Sequence, residues 1–176
     1  MKFQKGDTIL YSSYGVYKIE EITEKSFEGD QKLYYSLTPV FHGDSTIFIP
    51  VDNEMLTAKM RRILSKEEIY DLIRDMPKEK PNWIENEQER KAKYKEIIAK
   101  GDRRELVRLI KSVYLHGQKL KSTGKKLHVV DERFLKEAER LLYDEFAHVL
   151  KIERSQVIPF ITQQVDHEEH LDVSNQ

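Results

Sequence analysis

Ser45-Thr46-Ile47-Phe48-Ile49-Pro50 is the last stretch of the chain that reads as a strand, and Ser65-Lys66-Glu67-Glu68-Ile69 is the first that opens a helix. The change of period between them decides the fold. The first stretch is β-branched and aromatic, and it closes on a proline that cannot donate inside a ladder. In the second, the Ser65 hydroxyl can accept from the Glu68 N–H while the Glu68 carboxylate reaches back, a capping box. Ile69, Leu72, Ile73 and Met76 then share one face of a helix, and Pro77 stops it.

Upstream of Pro50 the same strand character repeats at short intervals. Thr8-Ile9-Leu10-Tyr11 follows Gly6-Asp7, and Val16 to Ile22 follows Ser12-Ser13-Tyr14-Gly15. Lys32-Leu33-Tyr34-Tyr35-Ser36-Leu37 comes after the turn residues Phe27-Glu28-Gly29-Asp30, and His42-Gly43-Asp44 precedes the last strand. Short strands with glycine-containing turns predict a small antiparallel sheet. A sheet so small is expected to curl into an SH3- or Tudor-like barrel to close its own core.

Downstream, every segment is helical. Asn82 is expected to cap one helix, with Glu85 three residues on. Gly101 stops that helix and Asp102 caps the next, whose Leu106, Leu109, Ile110, Val113 and Tyr114 fall on one face. Gly117 to Lys126 reads as a loop. Asp131 is expected to cap a long helix with Phe134, Leu135, Ala138, Leu141, Leu142, Phe146 and Val149 as its stripe. A short last helix starts near Ser155. The class is α+β: an N-terminal β-barrel domain over 1–62, an all-α domain over 63–165 and a loose tail over 166–176.

Charge is distributed unevenly. The whole chain is −1, but Gln88 to Lys126 holds 13 Lys/Arg against four acids, a local +9 that leaves −10 for the rest. Such a block attracts phosphate through its long-range field and through counterion release. Read alone, it is equally a pair of solvated helices.

Several chemistries find no support. There is no cysteine, which excludes disulfides and thiolate metal sites and fits a reducing compartment. No G-x-S-x-G turn is present, and the six histidines are scattered, so no nucleophile with its base is suggested. Ser122-Thr123-Gly124-Lys125-Lys126 lacks the spacing of a phosphate-binding loop. Asp166-His167-Glu168-Glu169-His170 sits on the tail, where four-coordinate geometry is hard to fix. No enzyme activity, cofactor or metal is expected. The Met1-to-Asp7 start has no apolar core of a signal peptide, and no apolar run suits a membrane span. The expectation is a soluble, cytoplasmic monomer whose apolar stripes one helical core absorbs.

Specific residues carry a resemblance. Phe3-x-x-Gly6-Asp7-Thr8-Ile9-Leu10-Tyr11, Gly15-Val16, Gly29-x-x-Lys32-x-Tyr34-Tyr35 and Ile47-Phe48-Ile49-Pro50-Val51 lie in order in the first domain. Asn82-Trp83, Gly101-Asp102 and Glu137-Ala138-x-x-Leu141-Leu142-x-x-Glu145 follow in the second. Together they resemble the CarD/CdnL family of bacterial transcription regulators, whose N-terminal module is shared with transcription-repair coupling factor. The resemblance covers residues 1–160.

It implies a two-domain factor that binds RNA polymerase and promoter DNA together and stabilises the open complex. The barrel would dock on the β-subunit lobe through an exposed sheet edge, with Lys25, Tyr35, Phe48 and Pro50 at the contact. The helical domain would approach the upstream edge of the −10 element, Trp83 wedging into the minor groove. Arg90, Lys91, Lys93, Tyr94, Arg103, Lys125 and Lys126 would support it at the DNA. At Lys25 and Phe48 the chain departs from the arginines that family members often carry, so the docking is expected to be more apolar. Glu85, Glu87 and Glu89 stand close to Trp83, where they repel phosphate unless they face away. Two other classes stay open on the sequence: a protein-binding adaptor without DNA contact, and an RNA- or ribosome-binding factor.

Overall fold

The structure is a computed structural model that describes residues 2–27 and 29–174, with side chains up to Asp166. The chain divides into two compact units, Met1–Ile63 and Leu64–Gln176.

The first unit is one antiparallel sheet. Its strands are β1 (Thr8–Tyr11), β2 (Gly15–Ser26), β3 (Gln31–Pro39), β4 (Ile47–Pro50) and β5 (Met60–Arg62), with a short helix α1 (Glu54–Thr57) before β5. The spatial order is β4-β3-β2-β1-β5. Among the described residues no ladder joins β4 to β5, so the sheet is open and the closed barrel expected from its size is not formed. Gly29 makes the β2–β3 connection possible at φ 92°, where a Cβ would be strained.

The core is Phe3, Ile9, Tyr11, Tyr17, Ile19, Tyr35, Leu37, Ile49 and Met60. A bulge in β2 keeps this set on one side. Ile19 stands opposite Leu37 and Ile22 opposite Tyr35, so three steps along β2 match two along β3. Without the extra residue Ile22 would turn to the other face; with it, Ile22 packs on the same core as Ile19. The strand β5 gives no sequence signal of its own, because Met60-Arg61-Arg62 has neither β-branching nor alternation. Its place comes from pairing Met60 with Tyr11 and burying the Met60 side chain.

The second unit holds five longer helices: α2 (Lys66–Asp75), α3 (Glu87–Lys100), α4 (Arg103–Ser122), α5 (Val129–Leu150) and α6 (Val157–Ser174). The capping box of α2 forms as expected, Glu68 N donating to Ser65 Oγ at 3.2 Å and Ser65 N to Glu68 Oε2 at 2.8 Å. Gly101 ends α3 at φ 58°, and Asp102 Oδ1 accepts from Glu105 N at 3.0 Å to start α4. The core joins Ile69, Leu72 and Ile73 of α2 to Val107 of α4, Leu142, Phe146, Ala147 and Leu150 of α5, and Val157 of α6.

Four boundaries differ from the sequence reading, each for a tertiary reason. Asn86, not Asn82, caps α3, its Oδ1 accepting from Gln88 N and Glu89 N at 3.0 and 3.1 Å. Asn82 is held outside the helix because its N–H donates to Ser112 Oγ at 2.7 Å. The helix α4 runs through Gly117 to Ser122; Gly117 leaves room for Leu127, 4.0 Å from where a Cβ would stand. Asp131 lies inside the first turn of α5 and is buried, its carboxylate taken by Arg90. The last helix, expected to be short, runs on past Asp166 to Ser174; Asn175, Gln176 and the side chains from His167 onward lie outside the described residues. No helix among the described residues is long and apolar enough to cross a membrane.

Candidate functional site

Two surfaces, one on each unit, gather the residues singled out by sequence. On the sheet, side chains of one parity along β2, β3 and β4 meet on the face away from the core. Thr23 stands opposite Tyr34, Tyr34 opposite Pro50, and Ser36 opposite Phe48. Phe27, past the end of β2 and 57% exposed, closes the cluster. Its ring centroid lies 5.2 Å from Tyr34 and 5.6 Å from Phe48, and Lys25 Nζ sits 4.4 Å from the Phe48 ring. A cation beside an aromatic face is attracted by the ring quadrupole. The cluster borders β4, an edge strand whose ladder has a neighbour on one side only.

This placement corrects one expected contact. Tyr35 is 1% exposed and sits in the core, with the Phe3 ring edge-on at 6.5 Å. Successive residues of a strand face opposite ways, so Tyr34 takes the outer position. Phe27 and Tyr34 are the surface residues that sequence reasoning missed. The parity of Phe48 was the available signal, but using it required the strand register.

On the helical unit the centre is Trp83, in the stretch 79–86 that lies outside any helix between α2 and α3. Its ring stacks on His116 of α4, centroids 3.5 Å apart and planes 6° from parallel. The Arg90 guanidinium carbon lies 4.3 Å from the Trp83 ring. Arg90 is itself fixed: Nε and Nη2 donate to the two carboxylate oxygens of Asp131 at 2.9 and 3.0 Å. Its Nη1 donates to the carbonyls of Ile84 and Glu85 at 2.7 and 3.2 Å. The hydrogen bonds to Asp131 hold the Arg90 pKa above its ordinary value. Burial lowers that of His116, with Arg90 and Lys119 adding to the effect and Glu85 and Asp131 opposing it.

Arg90 and Tyr94, expected at the DNA, are 3% and 2% exposed and present no surface to a duplex. Arg90 instead braces the Trp83 segment. Tyr94 packs edge-on against Phe134 at 5.7 Å, and burial pushes its pKa up to about 12, so its hydroxyl stays neutral.

The basic block resolves into two parts. From Arg90 to Lys111, most cations are already engaged. Lys91 pairs with Glu87, and Lys93 and Lys100 pair with Glu96 at 3.3 and 2.5 Å. Arg103 grips the buried Glu145 at 2.7 and 3.0 Å. Arg104 and Arg108 share Glu79 at 2.8 and 2.6 Å, and Lys111 Nζ donates to the carbonyls of Met76 and Glu79. By contrast Lys95, Lys119, Lys121, Lys125 and Lys126 are exposed and make no ion pair among the described residues. Four of these five follow His116 along the end of α4 and the loop after it. The unneutralised charge therefore lies next in sequence to the Trp83 stack, at a helix C-terminus whose dipole favours cations. Glu85, Glu87 and Glu89 are all exposed, and Glu87 is neutralised locally by Lys91.

Residues 3–64 match the CarD-like/TRCF RID domain, an RNA polymerase-interacting domain. The match takes in all five strands and ends where the helical unit begins.

Proposed function

We infer, from a chain that belongs through residues 3–64 to the CarD-like/TRCF RID family, a regulator that holds RNA polymerase with its sheet and promoter DNA with its helices. Interaction with RNA polymerase, and a role related to transcription, follow from the family itself. The finer reading assigns the β-subunit lobe to the β4 edge. Lys25, Phe27, Tyr34, Phe48 and Pro50 flank an edge that can accept a partner strand by β-augmentation, while aromatic side chains supply apolar area. With Phe48 where an arginine is usual, that docking draws more on burial than on ion pairing.

The helical unit then reaches the upstream edge of the −10 element. Trp83 is the wedge: an aromatic ring beside a partly unstacked base step holds a deformed duplex. Lys119, Lys121, Lys125 and Lys126 neutralise backbone phosphates and give affinity without sequence preference. The outcome is a longer-lived open complex, produced by binding alone and without catalysis, by a monomer in the bacterial cytoplasm. The single observation behind this reading is the Trp83 ring stacked on His116, from which the unpaired lysines follow along the chain, with a polymerase-interacting family match in the other unit.

The test is a titration of the cognate polymerase β-lobe fragment with the full chain, followed by open-complex half-lives with wild type and Trp83→Ala. Saturable binding and a half-life shortened by Trp83→Ala are expected. Lobe binding with an unchanged half-life would leave a protein-binding adaptor. No lobe binding together with tight binding to structured RNA would leave an RNA- or ribosome-associated factor.

A further inference from the structure

We propose that His116 is the positioning residue for Trp83, a backing plate that fixes the indole in one orientation before DNA arrives. The proposal rests on the DNA-binding reading above. The backbone around Trp83 is anchored on both sides, by Asn82 N to Ser112 Oγ at 2.7 Å and by the Ile84 and Glu85 carbonyls to Arg90. Those anchors fix where the Cα stands, but leave the ring two torsions to turn about. Contacts to the ring itself remove that freedom, and they include Arg90 at 4.3 Å and His116 at 3.5 Å.

The two contacts are not equivalent. Arg90 is buried in its pair with Asp131 and holds the helices together whatever Trp83 does. His116 makes no hydrogen bond and no ion pair among the described residues. The contact its ring makes is the planar stack on Trp83. The stack also has a steric consequence. An imidazole parallel to the indole at 3.5 Å closes one face to any base, and the Arg90 guanidinium carbon sits 4.3 Å from the same ring, so Trp83 enters a duplex by its edge. Fixing the ring beforehand removes the ordering cost that a free indole would bear on binding.

The experiment uses the full chain with polymerase and a promoter, and compares open-complex half-lives for wild type, Trp83→Ala, His116→Ala, His116→Phe and Trp83→Ala/His116→Ala. Loss of the backing ring is expected to shorten the half-life about 2- to 12-fold, the range of an aromatic pair. Phe restores it, since a phenyl ring can stack in the same place. In the Trp83→Ala background, His116→Ala has no further effect.

Trp83 is the only tryptophan, so fluorescence of the free protein reports on it alone. Acrylamide quenching is expected to rise in His116→Ala and to stay at the wild-type level in His116→Phe. A shortened half-life for Trp83→Ala with none for His116→Ala overturns the proposal and spares the DNA-binding reading. Equal losses from His116→Ala with and without Trp83 also overturn it. An unchanged half-life for Trp83→Ala overturns the reading and the proposal together.

Discussion

Arg90 on α3 holds Asp131 on α5 by two parallel hydrogen bonds of 2.9 and 3.0 Å, both side chains almost wholly buried. A buried pair of this kind is costly to break from one side, because the abandoned charge stays desolvated. Arg90→Ala or Asp131→Ala should therefore lower stability by about 3–5 kcal/mol, read by urea unfolding. Replacing both by apolar residues of similar volume should recover most of that loss. If the single variants unfold like wild type, the pair does not hold α3 to α5.

Arg103 has the sequence character of a phosphate contact and the surroundings of a structural one. It donates twice to Glu145, which also accepts from Leu64 N at 2.9 Å. Arg103→Ala should cost about 3 kcal/mol of stability, while the salt dependence of DNA binding keeps its slope. A slope reduced by a full phosphate contact, with stability unchanged, would return Arg103 to the DNA interface.

The unpaired lysines make the opposite prediction. Each of Lys119→Ala, Lys121→Ala, Lys125→Ala and Lys126→Ala should reduce the slope of log K against log salt by up to about 1. Lys93→Ala and Lys100→Ala should leave it unchanged, since Glu96 already neutralises both. Unfolding midpoints of all six variants should stay near wild type. Equal slopes across the six would mean that local ion pairs do not decide which lysines meet DNA.

Neighbours in one strand should separate cleanly. Tyr35→Ala opens a hole in the sheet core and should cost about 3–5 kcal/mol. Tyr34→Ala and Phe48→Ala should weaken β-lobe binding about tenfold or more, as loss of a central aromatic does, with little change in stability. Calorimetric titration and thermal melts of the three variants read the two effects separately.

Acid should loosen the helical unit before its carboxylates titrate. Burial holds His148 and His116 below the ordinary value of 6.5, so the folded state favours their neutral forms. Their contribution is whole above pH 6.5 and is lost as pH falls through the folded values. Glu139, raised by burial, works in the opposite sense. Urea unfolding is expected to show stability falling as pH drops below 6.5. His148→Gln should flatten that fall, and an unchanged pH profile in the variant would exclude His148 as a source.

Local patterns in the sequence determined a good deal of this protein. The capping box at Ser65 and Glu68, the stop at Gly101 with Asp102 behind it, and the stripes of α2, α4 and α5 depend on residues within a turn or two of each other; Tyr114, expected on the α4 stripe, is the exception, being 56% exposed. Short-range sterics and hydrogen bonding settle such features before any tertiary contact exists. The motifs from Phe3 to Val51 likewise placed the sheet unit in its family, and the lone tryptophan marked the helical unit's candidate site.

What required the tertiary structure is everything that depends on a distant partner. Whether the sheet closes depends on β4 finding β5, which no local period encodes. Tyr34 and Tyr35 are interchangeable by propensity, and only the register with Ile22 and Ile49 puts one outside and the other in the core. The basic block is uniform in sequence, yet Glu145, Asp131 and Glu79 take up Arg103, Arg90, Arg104 and Arg108 from 25 or more residues away. Charge that folding pairs internally cannot neutralise phosphate. The sequence counts the cations, but long-range pairing decides which of them remain to bind.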